Sequence, residues 1–265
     1  MDTSLLLSVK HLNVKYNLRG FLRFLSLQEK LTLEDVSFAV KKGETLGIVG
    51  ESGSGKSTLA KAILKLIPVH SGKIIFEHTD LTALTQKQFV PWRKKIQMIF
   101  QDPFESLNPR MSVYQILLEP IQIHFKNLSS FQKKRYIFEL LNYVQLPKTV
   151  IHKHPNEFSG GQRQRICIAR ALAVKPELLI CDEPVSALDV SIQAQIINLL
   201  KDLQKSLNMT YLFISHDMAL VRHMSNQVAV LQAGKLVECG SVDEIYKQPK
   251  TLYTQKLLEA VPEIF

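Results

Sequence analysis

Apolar and polar side chains alternate over Leu5 to Tyr16 and again over Leu33 to Val40. A period of two buries one face of each segment and wets the other, which predicts an antiparallel pair of strands. Between them NLRGFLRFLSLQEK is apolar and basic, a connecting loop or a short amphipathic helix. From Glu44 the pattern changes to buried strand, glycine loop and helix: ETLGIV, GESGSGK, STLAKAILKLI. The later apolar runs GKIIFE, IQMIF, LLICD, YLFIS and QVAVLQ have strand length, and helix-like segments separate many of them. A mostly parallel sheet with flanking helices is therefore expected. Residues 102–155 hold no convincing strand; apolar positions such as Ile137, Leu140, Leu141 and Val144 fall at helical spacing. The expected organisation is one α/β domain. Residues 1–101 and 156–240 form its core, with an N-terminal antiparallel β-subdomain, 102–155 an inserted α-helical subdomain, and 241–265 a short helical tail.

Composition narrows the class without choosing a function. At 265 residues, 46% hydrophobic and 22% charged, the chain is globular and long enough for a sizeable core. The start, Met1-Asp2 followed by the short apolar run Leu5 to Leu7, lacks the basic and hydrophobic parts of a signal peptide, so a cytosolic chain is expected. No window reaches the roughly 18 apolar residues of a membrane span. Cys167, Cys181 and Cys239 are widely spaced and odd in number, which predicts buried reduced thiols rather than a disulfide frame or a metal site. The formal net charge of +9 suits nucleic acid or an anionic membrane face equally. The basic stretches Lys126 to Arg135 and Arg93 to Lys95 sit beside ordinary helical patterning and read as solvated faces.

Three segments carry chemistry. Gly50-Glu-Ser-Gly-Ser-Gly55-Lys56-Ser57 fits G-x-x-x-x-G-K-S/T in a strand-to-helix context. Such a loop turns backbone N–H groups toward phosphates at the N-terminus of a helix. Gly50, Ser52, Gly53, Ser54, Gly55, Lys56, Ser57 and Thr58 are the expected ATP contacts, with Lys56 on the β/γ-phosphates and the Ser57 hydroxyl on Mg²⁺. LLICDEP ends a buried strand in two carboxylates whose side chains diverge. Asp182 is suited to Mg²⁺ through water and Glu183 to a water near the γ-phosphate. FSGGQRQRICIARAL opens with an S-x-x-Q capping box, Ser159 and Gln162, and predicts a helix to about Ala173. Capping leaves Gly160 and Gly161 unexplained, since glycine is costly in a first turn; bare N–H groups approaching another anion explain them.

With these residues in order, the chain resembles the nucleotide-binding subunit of an ATP-binding cassette (ABC) transporter, a P-loop ATPase. Ser159-Gly160-Gly161-Gln162 resembles the signature motif, with Phe158 where leucine is usual. Gln101 resembles the Q-loop glutamine, Ser186-Ala-Leu-Asp189 the D-loop and His216 the switch histidine, and Tyr16 stands where the family places a ring against adenine. The resemblance implies catalysis by Glu183, His216 and Gln101, and Mg²⁺ held with Ser57, Gln101 and Asp182. ATP would be bound between two head-to-tail domains, Asp189 and the signature residues of one covering the nucleotide on the phosphate loop of the other.

The resemblance extends to partners. FQDPFESLNPRMSVYQILLEP, residues 100–120, and YKQPKTLYTQKLLEAVP, residues 246–262, are similar to segments of the oligopeptide, dipeptide and nickel importer group. Pro103, Asn108-Pro109 and Pro120 are expected to bracket short elements. A second ATPase subunit, non-identical or else a second copy of this chain, two integral membrane permeases and an extracytoplasmic binding protein are implied, with the chain on the cytoplasmic face of the membrane and peptide as cargo. Nickel or a metal chelate is the nearest alternative. Many relatives continue into a cysteine-bearing extension associated with an iron–sulfur cluster, and no such cluster is expected here. A soluble ABC ATPase working on nucleic acid or ribosomes is the reading from another class; it needs a long inserted coiled coil or a second ATPase unit, and no nucleic acid partner is expected. A chain that binds ATP without turnover would lack a carboxylate or histidine, whereas Glu183 and His216 are present.

Overall fold

A computed structural model describes residues 5–16 and 30–260. The segment 17–29 and the end of the tail lie outside the described residues, and with them most of the basic insert. In chain order, strands β1 (Leu5–Tyr16), β2 (Lys30–Lys41) and β3 (Thr45–Val49) lead into helix α1 (Lys56–Ile63). Strands β4 (Ser71–Phe76) and β5 (Thr79–Asp80) and the single turns α2 (Gln86–Phe89) and α3 (Trp92–Lys95) precede β6 (Ile96–Ile99). Helices α4 (Pro103–Ser106), α5 (Val113–His124) and α6 (Ser130–Tyr143), then two 3₁₀ turns, lead to α7 (Gly160–Leu172) and β7 (Leu178–Asp182). The chain continues through α8 (Val190–Leu207), β8 (Thr210–Ile214), α9 (Met218–Met224), β9 (Gln227–Gln232), β10 (Lys235–Ser241), α10 (Val242–Lys247) and α11 (Leu252–Glu259).

Two compact units result: residues 1–90 with 212–265, and residues 91–211. In the first, an antiparallel sheet runs β2-β1-β4-β5. The two alternating segments pair as their period requires, Val9 opposite Phe38 and Val14 opposite Leu33, and their inward residues Leu7, Val9, Leu12, Leu33 and Val36 are almost wholly buried. The GKIIFE run joins this antiparallel sheet, Ser8 opposite Ile75, rather than the parallel one expected of it. The reason is visible in its faces: Ile74 and Phe76 are buried while Lys73 is exposed, the one-sided pattern of an antiparallel strand. In the same unit β3 runs parallel to β9, Leu46 beside Gln227 and Val49 beside Val230, and β3 is buried at every position. Strand β10, which periodicity did not anticipate, returns antiparallel to β9 through Ala233 (φ 47°) and Gly234 (φ 83°). Two consecutive positive φ values give the tight hairpin turn that matches strand twist.

In the second unit β6 and β7 are parallel, Ile96 beside Leu178 and Ile99 beside Cys181, and β7 is wholly buried. The expected helical segment is present as α4 to α6, with α5 and α6 each opened by a serine-glutamine capping box (Ser112/Gln115 and Ser129/Gln132). Pro120, expected to bracket an element, lies inside α5 instead. The helix tolerates it at the loss of the N–H bond to the Ile116 carbonyl, because Ile116, Leu117 and Ile121 keep that face buried. Cys167 and Cys181 are buried and Cys239 is exposed on β10, so one of the three expected buried thiols is on the surface. All three are free; burial pushes the Cys167 thiol up to about 11 and that of Cys181 higher still.

Candidate functional site

The first unit carries the phosphate loop. β3 delivers the chain at Val49, and the loop turns through Gly50 (φ 153°), Gly53 (φ 79°) and Gly55 (φ 108°) before α1 begins. Gly55 is the N-cap of α1 in the left-handed conformation, and no side chain caps the helix. A helix start of this kind is where backbone N–H groups can meet an anion. Lys56 is buried (5% exposed) and its ammonium donates to the carbonyls of Gly50 at 2.7 Å and Glu51 at 2.8 Å, across the loop it closes. Ser54 Oγ is buried with no hydrogen-bond partner. Ser52 is exposed, and Ser57 and Thr58 are partly exposed on the first turn of α1. A helix start without a cap, an inward ammonium and an orphaned hydroxyl fit a phosphate group well.

His216 follows β8 in the same unit, and its side chain is exposed. Its backbone is fixed on both sides. The Ser215 N–H donates to the Ile48 carbonyl at 3.1 Å, and the Asp217 carboxylate accepts from the N–H groups of Ala219 and Leu220 as the cap of α9. Tyr16 closes β1, opposite Lys30; its side chain lies outside what the structure describes.

The second unit carries the carboxylates. Asp182 ends β7 and is 5% exposed. Glu183 follows with φ 46°, a left-handed conformation that costs a non-glycine residue on the order of 1 kcal/mol. That turn directs its carboxylate to the Gln101 side chain, whose Nε2 donates to Glu183 Oε2 at 3.1 Å. Two residues separated by 82 positions are brought into contact, one just after β6 and one just after β7. The residues beyond Glu183 are braced by Gln193 of α8, whose Nε2 donates to the carbonyls of Val185 and Leu188. Sequence reading missed Gln193, because an isolated glutamine on a helix carries no local signal. Asp189 is the N-cap of α8 yet makes no side-chain cap hydrogen bond and is exposed.

The helix expected from Ser159 to about Ala173 is α7, with Ser159 as N-cap and Ala173 as C-cap. Ser159 Oγ accepts from Gln162 N, and Gln162 Oε1 accepts from Ser159 N at 3.1 Å. The two glycines have a packing reason that sequence did not supply. A Cβ on Gly161 would lie 2.4 Å from Ile192 Cγ2 of α8, and one on Gly160 3.0 Å from Leu188 Cδ2. Gly161→Ala is therefore expected to be destabilising: overpacking of about 1–3 kcal/mol exceeds the at most about 1 kcal/mol that alanine adds to a helix. A thermal melt should show Tm lower by about 2–6 °C. Arg163 stacks on the Phe104 ring at 3.7 Å and Arg170 donates to the Ser106 carbonyl, so α7 also holds the segment that follows Gln101.

A buried parallel sheet feeding a phosphate loop, with paired carboxylates and a glycine-started helix elsewhere in the chain, defines a nucleotide-hydrolysing cassette. The family described as ABC transporter matches residues 33–186, and the chain belongs to it. It is 48% identical to the oligopeptide transport ATP-binding protein OppF of Haemophilus influenzae, over 98% of this chain and 79% of that protein. The protein of the same name from Bacillus subtilis is 46% identical over 98% and 83%. Among solved structures, cbiO1 from Clostridium perfringens, part of the cbiONQ ABC transporter complex, superposes with a TM-score of 0.80 at 27% identity, covering 92% of each chain. A dimeric ATP-binding cassette in a post-hydrolysis state with ADP and Pi does so at 0.78, with 27% identity, over 89% of this chain and 98% of that one. The protein is an ATP-hydrolysing ABC subunit.

Proposed function

We propose that this ATPase powers uptake of di- and oligopeptides. The observation that carries the reading is the similarity to oligopeptide transport ATP-binding proteins along 98% of the chain, at 48% and 46% identity. No helix among the described residues is long and apolar enough to cross a membrane. We assign the transport path to two permease subunits, cargo capture to an extracytoplasmic binding protein, and the second nucleotide-binding domain to another ABC ATPase. The exposed rings of Phe100 and Phe104, beside Gln101, offer the permease an apolar surface next to a residue that contacts Glu183. The net charge of +9 suits work against an anionic cytoplasmic membrane face.

In this reading Lys56, with the Gly50, Ser52, Gly53, Ser54, Gly55, Ser57 and Thr58 backbone, binds ATP phosphates, and Glu183 takes the proton of the attacking water while Gln101 and His216 orient it. Mg²⁺, which would be held by Ser57, Gln101 and Asp182, supplies neutralisation of phosphate charge. Ser159, Gly160, Gly161, Gln162 and Asp189 address the nucleotide of the partner domain, and closure and reopening of the pair drives transport. Affinity purification of the tagged chain from gently solubilised membranes, followed by mass spectrometry, tests the assembly. Two permeases, a second ATPase and a peptide-binding protein are expected. Ribosomes or nucleic acid with no integral membrane protein would overturn the transporter assignment, and a metal-type binding protein would overturn the peptide.

A further inference from the structure

The phosphate loop is held from an unexpected direction. The hydroxyl of Tyr253, in α11, accepts a hydrogen bond from the Glu51 N–H at 3.0 Å, across 202 positions of sequence. The carbonyl of the same Gly50–Glu51 peptide group accepts from the Lys56 ammonium at 2.7 Å. One planar peptide is thus pinned at both ends, by a cation on its oxygen and a phenol on its nitrogen. Hydrogen bonds in such a chain polarise and strengthen one another. The pinning matters at this place because Gly50, at φ 153°, has no Cβ to resist rotation of that peptide.

Tyr253 is itself held. The Glu238 carboxylate of β10 accepts from the N–H groups of Lys250 (2.8 Å) and Thr251 (3.2 Å) and from the hydroxyls of Thr251 (3.2 Å) and Thr254 (2.6 Å). Glu238 is 8% exposed and Thr254 wholly buried. Burial pushes the Glu238 carboxyl up, but the bonds from Thr254, Lys250 and Thr251 prevail and hold it below its ordinary value, so it is an anion at neutral pH. An anion at the first turn of α11 favours the helix and fixes where its second residue points.

We infer that Tyr253 is a positioning residue of the phosphate loop: anchored by Glu238, its hydroxyl holds the Gly50–Glu51 peptide in the orientation that receives the nucleotide. This rests on the reading of residues 50–58 as the ATP site. It assigns the tail a part in nucleotide binding, with no contact between Tyr253 and the reacting atoms.

The test uses the full chain and MgATP, with binding read by calorimetry and loop order by hydrogen exchange of the peptide covering residues 47–55. In Tyr253→Phe one hydrogen bond is lost and water can reach the exposed Glu51, so affinity should fall about three- to fivefold. Exchange in the nucleotide-free loop should quicken while β9 stays protected, and Tm should move by less than about 3 °C. Thr254→Val, which leaves the phenol intact but loosens its anchor, should shift both loop exchange and affinity in the same direction. Unchanged affinity and loop exchange in Tyr253→Phe overturn the inference. So does a loss of affinity that comes with exchange across β3 and β9, since that is a general structural defect. A parent chain that does not bind MgATP overturns the phosphate-loop reading as well, whereas a parent that binds beside an equal Tyr253→Phe overturns the role of Tyr253 alone.

Discussion

Glu183→Gln is expected to lower ATP hydrolysis by about 10²- to 10⁴-fold while leaving ATP bound, the loss typical when a general base is removed. The substitution keeps the volume of the side chain, so the strand end and the strained turn at φ 46° need not change. On the role proposed for Glu183, what changes is the proton acceptor. In the parent chain Gln101 Nε2 donates to Glu183 Oε2, and an ionised carboxylate only accepts, so it can take a proton. A glutamine at 183 can still present its amide oxygen to Gln101, so the contact between the two residues survives. Its NH₂ then occupies the place of the basic oxygen and cannot take a proton. Phosphate release by the chain in its transporter complex, compared with MgATP affinity, separates the two effects. Near-parental turnover in the variant would remove Glu183 from the catalytic role and leave its backbone strain without a functional explanation.

Much of the fold and site was legible because it is written in local patterns. The alternation of residues 5–16 and 33–40 specified both faces of β1 and β2, and their pairing followed. Ser159 and Gln162 located the start of α7 to the residue, since a capping box is a contact between neighbours. What escaped depends on distant pairing. The sheet joined by GKIIFE is decided by β1, some sixty residues earlier, and the run alone does not distinguish a strand with one wet face from one with none. β10 was missed because Ala233 takes a positive φ that alanine seldom adopts, so the turn lacked its usual residues. Pro120 reads as a breaker locally and is overruled by the apolar face of α5. Gly161 and Tyr253 show the same limit at the level of chemistry. The need for a glycine at 161 comes from Ile192, and the value of a phenol at 253 comes from a backbone N–H at 51; neither partner can be named from the residues alongside.

Lys56→Ala should act on binding instead of chemistry. In the structure its ammonium serves the loop itself, bonded to the Gly50 and Glu51 carbonyls, and is buried to 5% exposure. An ammonium that donates to neutral carbonyls gains a stronger, charge-assisted hydrogen bond when an ATP phosphate is its acceptor. Alanine loses that attraction and the two bonds that shape the loop, so two contributions fall together. A hydrogen bond to a charged group is worth about 1.5–3 kcal/mol, which corresponds to a loss of affinity of about 10- to 100-fold. Hydrolysis should fall with occupancy, and part of it should return as MgATP is raised; in Glu183→Gln no concentration of ATP should restore it. Titration of both variants in one assay therefore assigns the two residues to different steps. If Lys56→Ala bound MgATP as the parent does, the loop from Gly50 to Ser57 would have to owe its glycines and its buried lysine to something other than phosphate.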